Sequence, residues 1–362
     1  MLSEPLHDSA PPLLSILYIS YPLLAISDES AGGAEQMLLT LEREIVRAGH
    51  RTTVAACNGS RVDGRLLATG APANVADAFE QREREHCERI LDYLSDHPDE
   101  FDLIHDESGS FVRHAERCPV PLLATLHLPR SFYHEEWFCG APKGAIFNCV
   151  SQSQARTFAD LPNLTGVVQN GIAVERFSPS ERKHDYLLWM GRICEEKAPH
   201  LAIAAAKQAG VHLFVAGQVY PFSYHQQYFA RAICPSLGWG VSFVDSPLFG
   251  DKVALLRNAR ALLLTSTAEE TSSLVAMEAM ACGTPVIAMR RGAFPEIVAH
   301  GETGFIVDDV QEMAAAVAEV PEIDPAGCRR HVEEMFSARR MAGDYETLYR
   351  RVIVEGRVRA AA

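Results

Sequence analysis

The sequence predicts an α/β protein of two Rossmann-like domains, each a doubly wound parallel sheet, facing one another across a central cleft. Three observations carry this reading. Short β-branched or apolar runs alternate with longer helical patterns along the chain, which is the rhythm of βαβ units. The rhythm stops at a charged, polar stretch, residues 178–185, and then restarts. A length of 362 residues is long for one domain and comfortable for two, each able to bury a core without metals or disulfides.

In the first half, residues 15–20 read as a buried strand and residues 35–48 as a helix with Met37, Leu38, Leu41 and Ile45 on one face. Residues 52–57 are a second strand, and residues 80–95 a helix charged on one side. Further strands are expected at 103–105, 121–127, 145–151 and 167–169. In the second half, strands are expected at 186–190, 212–216, 241–244, 261–265, 285–289 and 304–307, with helices between most of them. Residues 337–354 form a last helix, with Tyr345, Leu348, Tyr349 and Val352 on one face. The expected division is 1–178, 179–336 and a final helical segment, 337–362.

Composition removes several classes. Asp and Glu number 47 against 33 Lys and Arg, a formal charge of -14, which argues against a nucleic-acid backbone as partner. The nine cysteines include no Cys-x-x-Cys pair, so they read as free thiols of a reducing cytosol. Residues 1–12 carry acids and prolines, not the basic start and apolar core of a signal peptide. No apolar run reaches the ~18–20 residues that cross a bilayer.

Three clusters carry chemistry. Gly32-Gly33-Ala34-Glu35 stands where a strand, a loop and a helix meet. Two glycines let backbone approach a ligand, and a helix start offers N–H groups to an anion, though a plain tight turn has the same appearance. Gly191-Arg192-Ile193-Cys194-Glu195-Glu196-Lys197 follows a strand and precedes a helix. The planar fork of Arg192 and the compact charge of Lys197 together suit a diphosphate; the alternative is a solvated loop in which they pair with Glu195 and Glu196. The third and most specific cluster places Glu270 and Glu278 seven intervening residues apart. Thr271, Ser272 and Ser273 are N-cap types, so Glu270 is expected in the loop and Glu278 about two turns into the helix. Carboxylates accept paired hydrogen bonds from vicinal sugar hydroxyls.

Taken together, these residues resemble the retaining glycosyltransferases of family four, which have the GT-B fold. The likeness runs through Gly32-Gly33, Thr125-Leu126-His127, Asn170-Gly171-Ile172, Gly191-Arg192 with Lys197, Ala216-Gly217, the Glu270/Glu278 pair, Gly283-Thr284-Pro285-Val286 and Pro295-Glu296-Ile297. The final helix resembles the family's last helix, which crosses back onto the first domain.

The resemblance implies a role for each residue. Arg192 and Lys197 neutralise the donor diphosphate in place of a metal, so no cofactor and no metal are expected. Glu278 holds the ribose hydroxyls, Glu270 those of the donor sugar, and His127 reaches the sugar near its anomeric carbon. Gly32 and Gly33 lie near phosphate and sugar, Gly217 near the nucleotide, and Ser272, Ser273 and Leu274 join the donor site.

The chain departs from the common pattern at Thr271-Ser272-Ser273, Ala173, Gln169 and Asp245-Ser246, which bears on sugar and base preference. The expectation is a metal-independent, retaining, cytoplasmic hexosyltransferase. It takes a nucleotide-sugar donor, a UDP-sugar, and an unidentified small acceptor, without nucleic acid or membrane as partner. A silent sugar-nucleotide-binding protein and an epimerase of the same fold are the rival readings. Acceptor choice is assigned to loops near 23–35, 59–79 and 128–143.

Overall fold

A run of five residues buried on both faces, Ser15–Ile19 (β1), begins the first sheet; a strand covered by helices on both sides has no solvent face to alternate with. The computed structural model describes residues 12–28, 32–72, 79–138, 144–238 and 240–361. The first strand feeds helix Gly33–Arg47 (α1), with Glu35 in its first turn and Arg47 in its last, charges that complement the helix dipole. The expected apolar face, Met37, Leu38, Leu41 and Ile45, is buried.

Strands Arg51–Ala56 (β2), Arg65–Ala68 (β3), Leu103–Asp106 (β4), Leu122–Leu126 (β5), Ala145–Cys149 (β6) and Leu164–Val167 (β7) complete a seven-stranded sheet. Its order is β3-β2-β1-β4-β5-β6-β7, and all the pairings are parallel. Helix Phe79–Asp96 (α2) lies between β3 and β4, and the short helix Gln152–Thr157 (α3) follows β6.

The sequence reading missed β3 and misplaced β7. Both lie at sheet edges. The residues of β3 are exposed or half-exposed, so they carry no continuous apolar signal. β7 falls on the half-buried residues 164–167. Gln169, assigned to that strand, is instead connecting chain; its carbonyl and that of Asn170 accept from the Arg340 guanidinium.

The second sheet has six strands: Tyr186–Met190 (β8), His212–Gly217 (β9), Val241–Asp245 (β10), Ala261–Leu264 (β11), Val286–Met289 (β12) and Gly304–Val307 (β13). Their order is β10-β9-β8-β11-β12-β13, again parallel. Helices Pro199–Ala209 (α4), Ser223–Tyr228 (α5), Phe249–Asn258 (α6), Leu274–Ala281 (α7), Phe294–Ile297 (α8), Val310–Glu319 (α9) and Pro325–Met335 (α10) connect and cover it.

The last helix, Ala338–Ala361 (α11), returns to the first sheet. Its Met341, Tyr345, Leu348, Tyr349 and Val352 share a core with Tyr18 of β1 and with Met37 and Leu41 of α1. The chain crosses over at Gly171, where an added Cβ would lie 2.5 Å from the Ser337 carbonyl oxygen. The Ile172 N–H donates to the Phe336 carbonyl and the Ala338 N–H to the Ile172 carbonyl, which locks the crossing.

In an open parallel sheet, ligands sit beyond the carboxyl ends of the strands where the strand order reverses. Those points lie between β1 and β4 in the first sheet and between β8 and β11 in the second. The Gly191 cluster begins just past β8, the Glu270 cluster lies in the loop after β11, and the Gly32 cluster opens the helix that follows β1.

Candidate active site

Past β11 the chain runs through Glu270 to Ser273, whose side chain accepts from the Ala276 N–H and starts α7. Ser273 is therefore the cap. Glu278 lies little more than one turn into the helix, a correction to the expected two turns, because α7 starts only at Leu274. Ser272 and Leu274 flank the cap and are half-buried.

The two glutamates have different surroundings. Both carboxylate oxygens of Glu270 accept from Lys197 Nζ, at 2.6 and 2.8 Å. Lys197 thus reaches across from the β8 loop and pairs not with Glu195 or Glu196 but with the other cluster. Arg192 does pair locally, its Nη2 donating to Glu196 Oε1 at 3.0 Å. Glu278 is buried; Oε1 accepts from Lys252 Nζ of α6 at 2.6 Å, and Oε2 has no partner among the described residues. An orphaned buried oxygen beside a paired one leaves acceptor capacity for a ligand hydroxyl. Glu278 and Lys252 line a pocket between the two halves, with Gln36 and Arg43 of α1 opposite.

Gly217 ends β9 with φ +148°, and a Cβ there would lie 1.8 Å from the Gly191 carbonyl oxygen. Close packing of these two backbones is what demands glycine at 217, and it fixes the start of the Arg192 loop. Across the cleft, Gly32 is the N-cap of α1, and a Cβ on it would overlap the Glu35 carboxylate. Gly33 faces α7: a Cβ there would meet the Leu274 side chain at 3.9 Å.

His127 follows β5 and is nearly enclosed. Its Nε2 lies 2.5 Å from Glu107 Oε2. Its carbonyl accepts from Thr271 Oγ1 at 2.7 Å, a direct bond between the halves at the Glu270 loop. A second such link joins Glu296 of α8 to the N–H groups of Gln152 and Ser153 at the start of α3.

Two carboxylates of this site were given no role from sequence. Glu107 is buried just past β4, where burial pushes its pKa up but His105 and His127 pull it down further, so the net shift is downward. Glu35, the last residue of the first cluster, is buried behind Gly32, and burial raises its carboxyl above the usual range. Their sign was topological: Glu107 follows the strand beside β1 at the switch point, which needs the strand order to see.

Behind Glu107 a polar chain enters the core. His105 Nε2 lies 3.3 Å from Glu107 Oε1 and 2.7 Å from Thr125 Oγ1, and its Nδ1 lies 2.7 Å from the Tyr349 hydroxyl of α11. Burial holds the His105 pKa down at about 4, so the imidazole is neutral near pH 7.

Two doubly wound parallel sheets, with their switch points meeting across a cleft, define a protein of the GT-B fold. Residues 184–322 match the family model "Glycosyl transferases group 1", and residues 31–176 match "Glycosyltransferase Family 4". The chain belongs to the family-four glycosyltransferases.

The D-inositol 3-phosphate glycosyltransferase of Mycolicibacterium smegmatis is 31% identical over 180 residues, 45% of this chain and 41% of that protein. The chain thus matches less than half the length of that relative. The enzyme of the same name from Rhodococcus opacus is 24% identical over 84% of this chain and 81% of its own length. Among solved structures, sucrose-phosphate synthase from Thermosynechococcus elongatus superposes with a TM-score of 0.78 at 20% identity, covering 94% of this chain and all (100%) of that one. The Anabaena protein HepE, solved with UDP and glucose, gives 0.72 at 18% identity, covering 92% of this chain and 99% of that one. At these identities the structures establish the fold.

No helix among the described residues is long and apolar enough to cross a membrane. The eight cysteines within the described residues are free thiols. Of the expected acceptor loops, residues 29–31, 73–78 and 139–143 lie outside the described residues, as do residues 1–11 of the expected leaderless start.

Proposed function

We propose that this chain transfers a sugar from a nucleotide-diphosphate sugar, a UDP-sugar, to a hydroxyl of a small soluble acceptor in the cytosol, with retention at the anomeric carbon. The observation that carries the reading is the buried Glu278 with one paired and one orphaned oxygen, in a pocket that α1 closes from the other half, on the helix that follows the Lys197-paired Glu270. In this reading the second half, 179–336, binds the donor, the first half, 1–178, presents the acceptor, and 337–362 ties the two together.

Glu278 Oε2 takes a ribose hydroxyl. Lys197 and Arg192 turn to the diphosphate and stabilise the leaving nucleotide, positive charge aimed where negative charge develops. Glu270 then accepts from hydroxyls of the donor sugar, next to the first turn of α7. Gly32 and Gly33 leave room for phosphate and sugar, and Gly217 holds the Arg192 loop against the nucleotide. His127 touches the sugar from the other side. The acceptor hydroxyl attacks from the face the diphosphate leaves, its proton passing to a donor phosphate oxygen. Cations already fill the place of a metal, so transfer proceeds in EDTA.

The test is a thermal-shift screen of UDP-, GDP- and ADP-sugars followed by product analysis. A ligand at ~100 times its dissociation constant adds about 2.7 kcal/mol. Stabilisation by UDP-sugars, with slow release of UDP and an α-configured product from an α-configured donor, supports the reading. No shift with any nucleotide sugar, or an inverted product, overturns it.

A further inference from the structure

The loop that carries Arg192 and Lys197 also carries Cys194 and Glu196, to which the diphosphate reading gives no part. They meet His225, in the first turn of α5. A sulfur of Cys194, a carboxylate oxygen of Glu196 and a ring nitrogen of His225 all lie within 4.8 Å of one another. Cys194 and His225 are buried, and Glu196 is half-buried.

His225 is the unusual member. Its residue is fully buried, yet neither ring nitrogen has a hydrogen-bond partner among the described residues. Leaving one buried polar atom unpaired is costly, and here two are unpaired on one ring. The rings of Tyr220, Phe222 and Tyr224 pack around it at 5.9, 5.6 and 4.2 Å and offer no compensation in these contacts. The Cys194 thiol donates a weak bond, at 3.4 Å, to the Arg192 carbonyl.

We propose that Cys194, Glu196 and His225 form a site for one thiophilic divalent cation, of which zinc is the type. The donor set decides the class. A thiolate and an imidazole select zinc over magnesium or calcium, which take oxygen. Three protein ligands leave a fourth, tetrahedral position to water. Binding is a proton exchange: the thiol gives up its proton to solvent as the sulfur–metal bond forms, and the neutral imidazole donates its lone pair without losing one. Small movements bring ligands now 4.8 Å apart or closer to the ~2.0–2.3 Å metal bonds of such a site. Occupancy also draws the Glu196 carboxylate from Arg192, its present partner at 3.0 Å, so the ion is felt at the guanidinium of the same loop. Metal binding itself does not depend on the transfer chemistry.

The experiment titrates the metal-free full-length protein with cobalt(II), then zinc, and follows the thiolate-to-cobalt charge-transfer absorption. One equivalent is expected to produce the band and zinc to abolish it. Cys194→Ser removes the band, His225→Gln weakens cobalt binding at least ~10-fold, and Cys234→Ser, at the exposed thiol, leaves both unchanged. X-ray absorption of the wild-type zinc complex needs no variant and is expected to show one sulfur at ~2.3 Å with nitrogen and oxygen neighbours. A band that survives Cys194→Ser, loss of the band in Cys234→Ser, a sulfur-free zinc shell, or no stoichiometric binding overturns the proposal.

Discussion

Glu107 holds His127 by the ring: Oε2 of the one lies 2.5 Å from Nε2 of the other, in a place from which solvent is almost wholly excluded. The downward shift of the Glu107 carboxyl means an anion, which only accepts, so Nε2 is the donor. In the neutral imidazole that leaves Nδ1 as the acceptor. A buried carboxylate thus selects one tautomer of the histidine that faces the donor sugar in the proposed reaction. Glu107→Gln keeps the shape and removes the charge. It is expected to lower kcat by about 10-fold or more with little change in donor KM, since it acts through His127. His127→Ala should lose at least as much, and the double variant little more than His127→Ala alone, the mark of groups acting as a unit. A double variant that loses the full product of the two single effects would show that Glu107 acts independently.

The Lys197–Glu270 pair and the Arg192–Glu196 pair give a second expectation. Arg192→Ala and Lys197→Ala should each cost at least ~100-fold in turnover, the loss on removing one preorganised group from a developing anion. Steady-state kinetics with a hydrolysable donor measures this, with the unfolding midpoint alongside, because Lys197→Ala leaves Glu270 without its cation. Near-normal turnover in both variants would remove these residues from the diphosphate site.

Glu278→Gln should act on binding more than on chemistry. The amide keeps an acceptor for a ribose hydroxyl but loses the charge-assisted half of the bond and the ion pair to Lys252. UDP affinity by calorimetry is expected to fall about 10-fold, on the order of 1.4 kcal/mol. An unchanged affinity would mean that the orphaned oxygen faces no ligand.

How much of this was legible in the sequence follows from what each residue is buried against. β1, β5, β6, β8, β11, β12 and β13 are buried on both faces or nearly so, and their apolar runs announce them. The edge strands β3 and β7, exposed or half-exposed, carry no such pattern. Arg192, Lys197, Glu270 and Glu278 stand at strand and helix ends, where local spacing is informative. Glu107 and Glu35 were not legible, because what makes them unusual is supplied by elements distant in sequence: His127 from β5 for the one, the enclosure behind Gly32 for the other. The trio Cys194, Glu196 and His225 joins the β8 loop to α5 and has no sequence spacing by which to find it.

Acid should destabilise the fold through its buried histidines. His86 and His105 are both held at about 4 by burial, against an ordinary value of 6.5. Their folded pKa lies below the unfolded one, so the unfolded chain binds more protons between pH 6.5 and 4. Stability therefore falls as pH drops through that window. Asp106 opposes this: burial raises it from 3.8 to about 6, so the folded chain takes up a proton there first. Glu35, also raised by burial, sides with Asp106, while His114 and His200, also lowered by burial, side with His86 and His105, which leaves a net loss on acidification. Urea midpoints at pH 7 and pH 5 measure it, and His86→Asn is expected to reduce the difference. An unchanged or larger difference in that variant would refute the assignment.

The surface of α1 bears on the membrane. In sequence its acids Glu35, Glu42 and Glu44 are interleaved with Arg43 and Arg47, but in the fold two of these acids do not reach the surface. Glu35 is buried behind Gly32. Glu42 is fully buried and accepts from Thr52 Oγ1 at 2.6 Å and from the N–H groups of Asp63 and Gly64. Neither screens anything outside. The cations are neutralised by other residues: Arg43 by Asp28 and Asp63, Arg47 by Glu44 and, at 3.9 Å, Glu175. The apolar residues of the helix face α11 and the sheet, so no greasy face remains to insert. Anionic lipid attracts clustered free cations at about 1 kcal/mol each, and these are paired. The expected outcome is that the protein stays in the supernatant with phosphatidylserine-containing vesicles at low and at physiological salt. Salt-sensitive pelleting of most of the protein would show that another surface docks, and Arg43→Glu would then separate α1 from the rest: pelleting that survives the substitution lies elsewhere.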